Sequence, residues 1–346
     1  MLKNQTYMKC FKITFICLLT FFSLSLADPL KEISIEFGGH DILEMPEAFM
    51  QQSYVDQEYY EDVIEHVIAG NQLSKMGEYL KAVERFRKAL NTDSTYVFSH
   101  NGLANAYLKL GNSPLAEKHF LKAILYAPNY AFSYNNLANL YLSQGDIKKA
   151  ENLLRTALKY EPNSAYIHYN MGNIFFIKEK YSQAIAYYRK ALRFDDNLCD
   201  ARYNLAIAYK NKNMSTLMLK EYEVLIKKCP GHKKGVLNLS ANYIIGGKID
   251  EALLIYKQAL ILNPDPEIFL ALGHAYHNLG YSSREIKAYE SAIQADSTFL
   301  PAWKFLASSY HELGMTVTAV ETCTKGLEID PLNTELSLLL NKITQK

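Results

Sequence analysis

Shifted by 34 residues, this chain falls onto itself. Ala116, Ala150 and Ala184 coincide, as do Ala123, Ala157 and Ala191, Tyr107 and Tyr141, Gly111 and Gly145, and Pro128 and Pro162. Self-similarity at this period means stacked supersecondary units, each covering its apolar face with the next, rather than one closed core. Units begin at 63, 97, 131, 165, 199, 233, 266 and 300, with one step of 33 near Pro264-Asp265-Pro266. Eight units therefore run from Val63 to Asn333.

Each unit is predicted to be a helical hairpin. Positions 4, 7, 8 and 11 form one face of a first helix at the spacing helices require; in the second unit they are His100, Leu103, Ala104 and Tyr107. Position 8 is Gly or Ala in seven units and Ser240 in the sixth, so two helices can approach there. Gly77, Gly111, Gly145, Gly247, Gly280 and Gly314 at position 15 supply the turn. The second helix sets Ala82, Ala116, Ala150, Ala184, Ala252 and Ala319 against the first, and Pro128, Pro162, Pro230, Pro264 and Pro331 end it. This arrangement resembles the tetratricopeptide repeat. The resemblance implies an all-α, right-handed superhelical solenoid of helix-turn-helix hairpins. Met218, Leu225, Glu285 and Gly326 depart from the small-residue pattern of the second helix, and Asn213 stands where Gly is usual. His66, His100, His168 and Trp303 share position 4 and are expected to pack between units. Residues 334–346 read as a capping helix, started by Asn333 or Thr334, with Leu336, Leu339, Leu340 and Ile343 on one stripe.

The N-terminal 62 residues do not repeat. Lys3, Lys9 and Lys12, an apolar run from Ile13 to Leu26, and the small residues Ser25 and Ala27 fit a cleavable signal peptide over 1–27. The predicted location is periplasmic or secreted; an uncleaved membrane anchor is the alternative. Residues 28–62 hold ten acidic side chains and one basic, Lys31, and read as an acidic leader, partly disordered, that enters a helix near its end. The remainder from Val63 carries +7, so leader and body could associate, although a solvated linker explains the same charges. Over the whole chain, 37 basic and 36 acidic residues nearly cancel, which argues against nucleic acid as partner. Three cysteines, Cys199, Cys229 and Cys323, lie beyond the signal; free buried thiols are the default reading, and a Cys199–Cys229 loop is the alternative.

In the tetratricopeptide family the first helices line a concave groove, chiefly through positions 2, 5, 6, 9, 12 and 13. Position 9 reads Asn71, Asn105, Asn139 and Asn173; position 6 reads Asn136, Asn170, Asn204 and Asn238; Asn101 and Asn135 add to them at position 5. A carboxamide both donates and accepts, so such a ladder complements a peptide backbone whatever its side chains. Neutral inheritance through duplication is the competing explanation. Phe98, Phe132 and Tyr166 at position 2, with Tyr169 and Tyr203 at position 5, add aromatic surface. The ladder resembles the superhelical repeat region of O-linked N-acetylglucosamine transferases, which implies a mode of binding and no transferase chemistry, because no catalytic half follows the repeats. The clamp that reads chain-terminal carboxylates is not matched, since Val67, Asn101, Asn135, Tyr169 and Tyr203 replace its position-5 lysine.

Catalytic signals are weak. His274, His277 and His311, with Glu312, are a conceivable metal set, but a solvated groove end is preferred and no metal or cofactor is assigned. No phosphate loop or nucleophile elbow occurs. The expected function is an exported, non-enzymatic scaffold that binds an extended peptide or protein partner. A non-catalytic subunit presenting substrates to a separate glycosyltransferase or protease is the alternative. Oligomeric state is not legible.

Overall fold

The computed structural model describes residues 57–345. The expected signal peptide and nearly all of the acidic leader therefore lie outside the described residues. Described residues fold into helices alone and divide into two compact units, one ending at Asn213 and the other starting at Met214. The division falls where Asn213, Met218 and Leu225 depart from the repeat pattern.

The first unit holds α1 (Gln57–Lys75), α2 (Tyr79–Thr92), α3 (Val97–Lys109), α4 (Ser113–Tyr126), α5 (Ala131–Ser143), α6 (Ile147–Tyr160), α7 (Ala165–Ile177), α8 (Tyr181–Phe194) and α9 (Cys199–Asn211). Within this unit α3, α5 and α7 each pack on the even-numbered helix before and the one after, while α1 packs on α2 and α9 on α8, which makes two layers of stacked hairpins. Helix α1 includes residues 57–62, so that part of the acidic stretch is helical. The second unit holds α10 (Ser215–Lys228), α11 (Lys233–Ile245), α12 (Ile249–Leu262), α13 (Pro266–Asn278), α14 (Ser282–Ala295), α15 (Leu300–Glu312), α16 (Thr316–Ile329) and α17 (Thr334–Thr344).

Why position 8 stays small is visible in the clearances. A Cβ added to Gly172 would lie 2.5 Å from the Tyr188 ring, and one added to Gly273 would lie 2.3 Å from Tyr289. The ring that fills this space stands on the second helix, at position 24. That column, Phe86, Phe120, Leu154, Tyr188, Tyr222, Tyr256, Tyr289 and Cys323, is buried throughout. Position 24 is legible in the sequence as an apolar or aromatic residue that recurs every 33 or 34 residues.

Turns follow the glycine column: all six position-15 glycines have φ between 72° and 80°. Glu179 and Asn213 take φ 57° at the two positions where no glycine is supplied. Position 4 does more than pack. The side chains of His100, Tyr134, His168, Arg202 and Trp303 each reach the carbonyl six residues upstream, at 2.8 to 3.2 Å, and so tie each inter-hairpin turn to the next helix.

At the C-terminal end α17 packs on α15 and α16, burying Leu336 and Ile343 beside Ala307, Ala319 and Cys323. The Asn333 side chain caps it by accepting from the Leu336 N–H at 3.0 Å. Gly326 replaces the usual alanine because a Cβ there would lie 2.8 Å from a Leu336 methyl. Cys323 is a free thiol whose pKa burial pushes up to about 11. Cys199 and Cys229 are each disulfide-bonded, against the default expectation of free thiols.

Candidate functional site

Position 6 and position 9 residues sit one helical turn apart on the first helices, so the asparagines of α5, α7 and α9 come together in the first unit. The Asn170 Nδ2 donates to Asn135 Oδ1 at 2.8 Å, and Asn204 Nδ2 donates to Asn173 Oδ1 at 3.0 Å. Asn173 Oδ1 also accepts from the Tyr188 hydroxyl at 2.8 Å. Asn101 Nδ2 reaches Ser133 Oγ at 2.9 Å and the Val97 carbonyl at 3.1 Å. The bonds Asn101–Ser133, Asn170–Asn135 and Asn204–Asn173 each join one hairpin to the next, so part of the carboxamide ladder is spent on stacking.

The exposures are lower than an open trough suggests. Asn136, Asn170 and Asn204 are 3 %, 2 % and 0 % exposed, Asn71, Asn101, Asn135, Asn139 and Asn173 are buried as well, and Asn105 is half-buried. Asn136 is unlike the cross-linked members, because its Nδ2 and its Oδ1 are both buried without a hydrogen-bond partner. The Oδ1 atoms of Asn101 and Asn170 are likewise unsatisfied. Asn238 belongs to the second unit, is half-buried, and donates back to the Lys234 carbonyl of its own helix at 2.8 Å.

Among the aromatic candidates, Phe98, Tyr169 and Tyr203 are buried, whereas Phe132 and Tyr166 are half-buried. Phe98 meets Tyr130 edge-on at 5.4 Å between ring centroids, and Phe132 lies 5.9 Å from the same ring. Tyr169 lies 6.2 Å from Tyr188. Phe98 and Phe132 thus meet through the Tyr130 ring of the turn between them, and Phe132 on α5 and Tyr166 on α7 keep appreciable surface.

The histidines at the far end are held by their own surroundings. His274 Nδ1 is 2.9 Å from the Tyr289 hydroxyl, and burial lowers its pKa to about 4. His277 Nδ1 is 3.1 Å from the buried Glu285 carboxylate, whose hydrogen bond raises the imidazole pKa. Ser309 donates to the same carboxylate oxygen. Glu285, noted in the sequence only as a misfit for alanine, is thus partnered from two helices. Among the described residues no three His, Cys, Asp or Glu side chains gather as a metal site, and no helix is long and apolar enough to cross a membrane.

Comparison with known proteins agrees with the hairpin geometry. Sequence profiles described as tetratricopeptide or TPR repeats match residues 70–111, 94–161, 135–198, 200–232, 242–280 and 266–299. The TPR repeat-containing protein YpiA of Bacillus subtilis is 28 % identical over 115 residues, 33 % of this chain and 26 % of that protein. Human tetratricopeptide repeat protein 7A is 32 % identical over 87 residues, 25 % of this chain and 10 % of that protein. The chain thus spans about a quarter and a tenth of these two relatives. Among solved structures, PilF of Pseudomonas aeruginosa superimposes with a TM-score of 0.53 at 20 % identity, covering 60 % of this chain and 95 % of that one. At that identity the likeness is one of fold.

Proposed function

Because this chain is built from tetratricopeptide repeats, we propose that it is a scaffold whose first helices hold an extended peptide or protein partner. In this reading eight repeats run from Val63 to Asn333, and the first helices of the first unit line a concave groove of the kind seen in O-linked N-acetylglucosamine transferases. The protein binds protein rather than nucleic acid, does no chemistry of its own, and is exported by residues 1–27. The oxidised state of Cys199 and Cys229 supports export, since disulfides persist in oxidising compartments.

One observation carries the binding role. The carboxamide of Asn136 and the Oδ1 atoms of Asn101 and Asn170 are buried and unsatisfied in a row along the first helices. Buried polar groups without partners are rare in native folds. A peptide main chain offers the missing donors and acceptors at a worth of about 0.5–1.5 kcal/mol each.

The test places photoreactive benzoyl-phenylalanine at Tyr166 in the full chain, in its native compartment, with a control at exposed Ser182. A discrete partner adduct at Tyr166, absent at Ser182 and weakened by Asn136→Ala, is expected. Adducts that ignore Asn136→Ala, or that form equally at Ser182, overturn the role.

A further inference from the structure

A cavity of about 260 Å³ opens over α15, between α14 and α16. Its floor is Trp303, Leu306 and Tyr310, at positions 4, 7 and 11 of the last hairpin. None of the groove positions of α15 lines it, so it belongs to the other side of the stack. Whole-ligand pockets run to about 300–1,000 Å³, so this smaller space suits one side chain or a small head group. In other hairpins position 23 fills the equivalent place. His119 stands 5.3 and 5.8 Å from the His100 and Tyr107 rings, and Tyr187 stands 5.9 and 5.1 Å from His168 and Phe175. In the last hairpin position 23 is Thr322, too small to cover Trp303 and Tyr310.

The tyrosines of position 11 say what belongs there. Tyr141 donates its hydroxyl to Glu117 at 2.6 Å and has the Lys149 ammonium 4.8 Å from its ring centroid. Tyr243 donates to Glu223 at 2.9 Å and has Lys248 at 5.2 Å. Arg284 lies 5.9 Å from the Tyr276 ring centroid. These cations come from positions 16 and 19 of the same hairpin. Tyr310 likewise donates to a carboxylate, Glu290, at 3.1 Å. Its positions 16 and 19, however, are Met315 and Thr318, neither of them charged, and Thr318 lines the cavity.

We propose that this cavity binds an organic cation from outside the chain, an alkylammonium or guanidinium group seated against Tyr310 where other hairpins seat their own lysine or arginine. A tyrosine face attracts a cation through its quadrupole, the more so where water is partly excluded. Glu290 and Glu321 stand in the walls, and Lys325 opposes them from an exposed position one turn beyond Glu321. Two carboxylates against one ammonium leave the site net negative. The site is separate from the groove reading and stands or falls without it.

Trp303 is the only tryptophan of the chain and lines the cavity, so its fluorescence reads occupancy. The full chain is titrated with Nα-acetyl-lysine amide, Nα-acetyl-arginine amide and putrescine, with the acetyl amides of glutamine and glutamate as neutral and anionic controls. The cations should give a saturable change and the controls none. Thr318→Lys, which supplies to Tyr310 what Lys149 supplies to Tyr141, should abolish the change, and Thr318→Gln should preserve it. Glu290→Gln with Glu321→Gln should weaken binding about tenfold, and Lys325→Gln should tighten it about threefold. Tighter binding of the amino-acid amides assigns the site to a basic side chain of a protein, and tighter binding of putrescine to a free amine; both uphold it. No saturable change, an equal response to either control, or weaker binding after Lys325→Gln overturns the proposal, as does a response that survives Thr318→Lys. If Thr318→Lys does not fold, the glutamate variants decide, and unchanged affinity in them overturns the site.

Discussion

Replacing Asn173 by Ala separates the structural part of the carboxamide ladder from the part left for a guest. Asn173 Oδ1 accepts from the Tyr188 hydroxyl and from Asn204 Nδ2, and all three side chains are fully buried. Truncation removes the acceptor of the buried Tyr188 hydroxyl and the shorter of two bonds made by the Asn204 amide, which keeps its reach to the Tyr169 hydroxyl at 3.4 Å. A buried group deprived of its partner costs about 1–3 kcal/mol, so the expected loss is about 2–5 kcal/mol. Asn136→Ala, by contrast, removes groups that have no partner and installs a better helix former, so it is neutral or stabilising by a few tenths of a kcal/mol. Urea denaturation followed by circular dichroism reads the contrast. At a slope of about 2–3 kcal/mol per molar the Asn173→Ala midpoint falls by about 1 M, and the Asn136→Ala midpoint stays put. Adding Tyr188→Phe to Asn173→Ala should recover about 1 kcal/mol, because the stranded hydroxyl goes with it. Equal midpoints for the two alanine variants, or strict additivity with Tyr188→Phe, would refute the reasoning. The same geometry corrects the simplest view of the ladder, in which Asn170 and Asn204 could be truncated without thermal consequence.

Three further outcomes are expected. Glu179→Gly and Asn213→Gly should each raise the melting temperature, because a left-handed L-residue costs about 1–2 kcal/mol and glycine's extra chain entropy returns only about 0.5–1; a lower melting temperature contradicts the turn argument. Gly273→Ala should destabilise by about 1–3 kcal/mol through its 2.3 Å approach to Tyr289, and Tyr289→Leu in the same chain should recover part of that; absence of any loss means the ring has room to move. Acid should act through His100 and His119, whose Nδ1 atoms lie 3.0 Å apart. Burial lowers both pKa values, that of His119 to about 4 from 6.5. The unfolded chain then binds more protons below pH 6.5, so stability is full above that pH and falls as pH drops toward 4. His119→Gln should flatten this fall in a melting-temperature profile. His277 acts with opposite sign: its raised pKa adds stability below 6.5 that is lost as pH rises through the folded value.

The repeat period, the hairpins, the small residue at position 8 and the glycine turns were all legible in the sequence. Each follows from local sterics that recur with the residue: Gly takes positive φ, proline ends a helix, and a Cβ facing a ring does not fit. The fate of the asparagines was not legible, because a hydrogen bond depends on what the neighbouring repeat offers. At position 6, Asn170 meets Asn135, Asn204 meets Asn173, Asn238 turns back to its own helix, and Asn136 meets nothing. Four identical residues at one repeat position thus have four environments. Similarly, the position-4 side chains read as packing until tertiary structure set a carbonyl six residues upstream within reach of each. Sequence periodicity fixes which face a side chain takes, and stacking alone decides what stands opposite it.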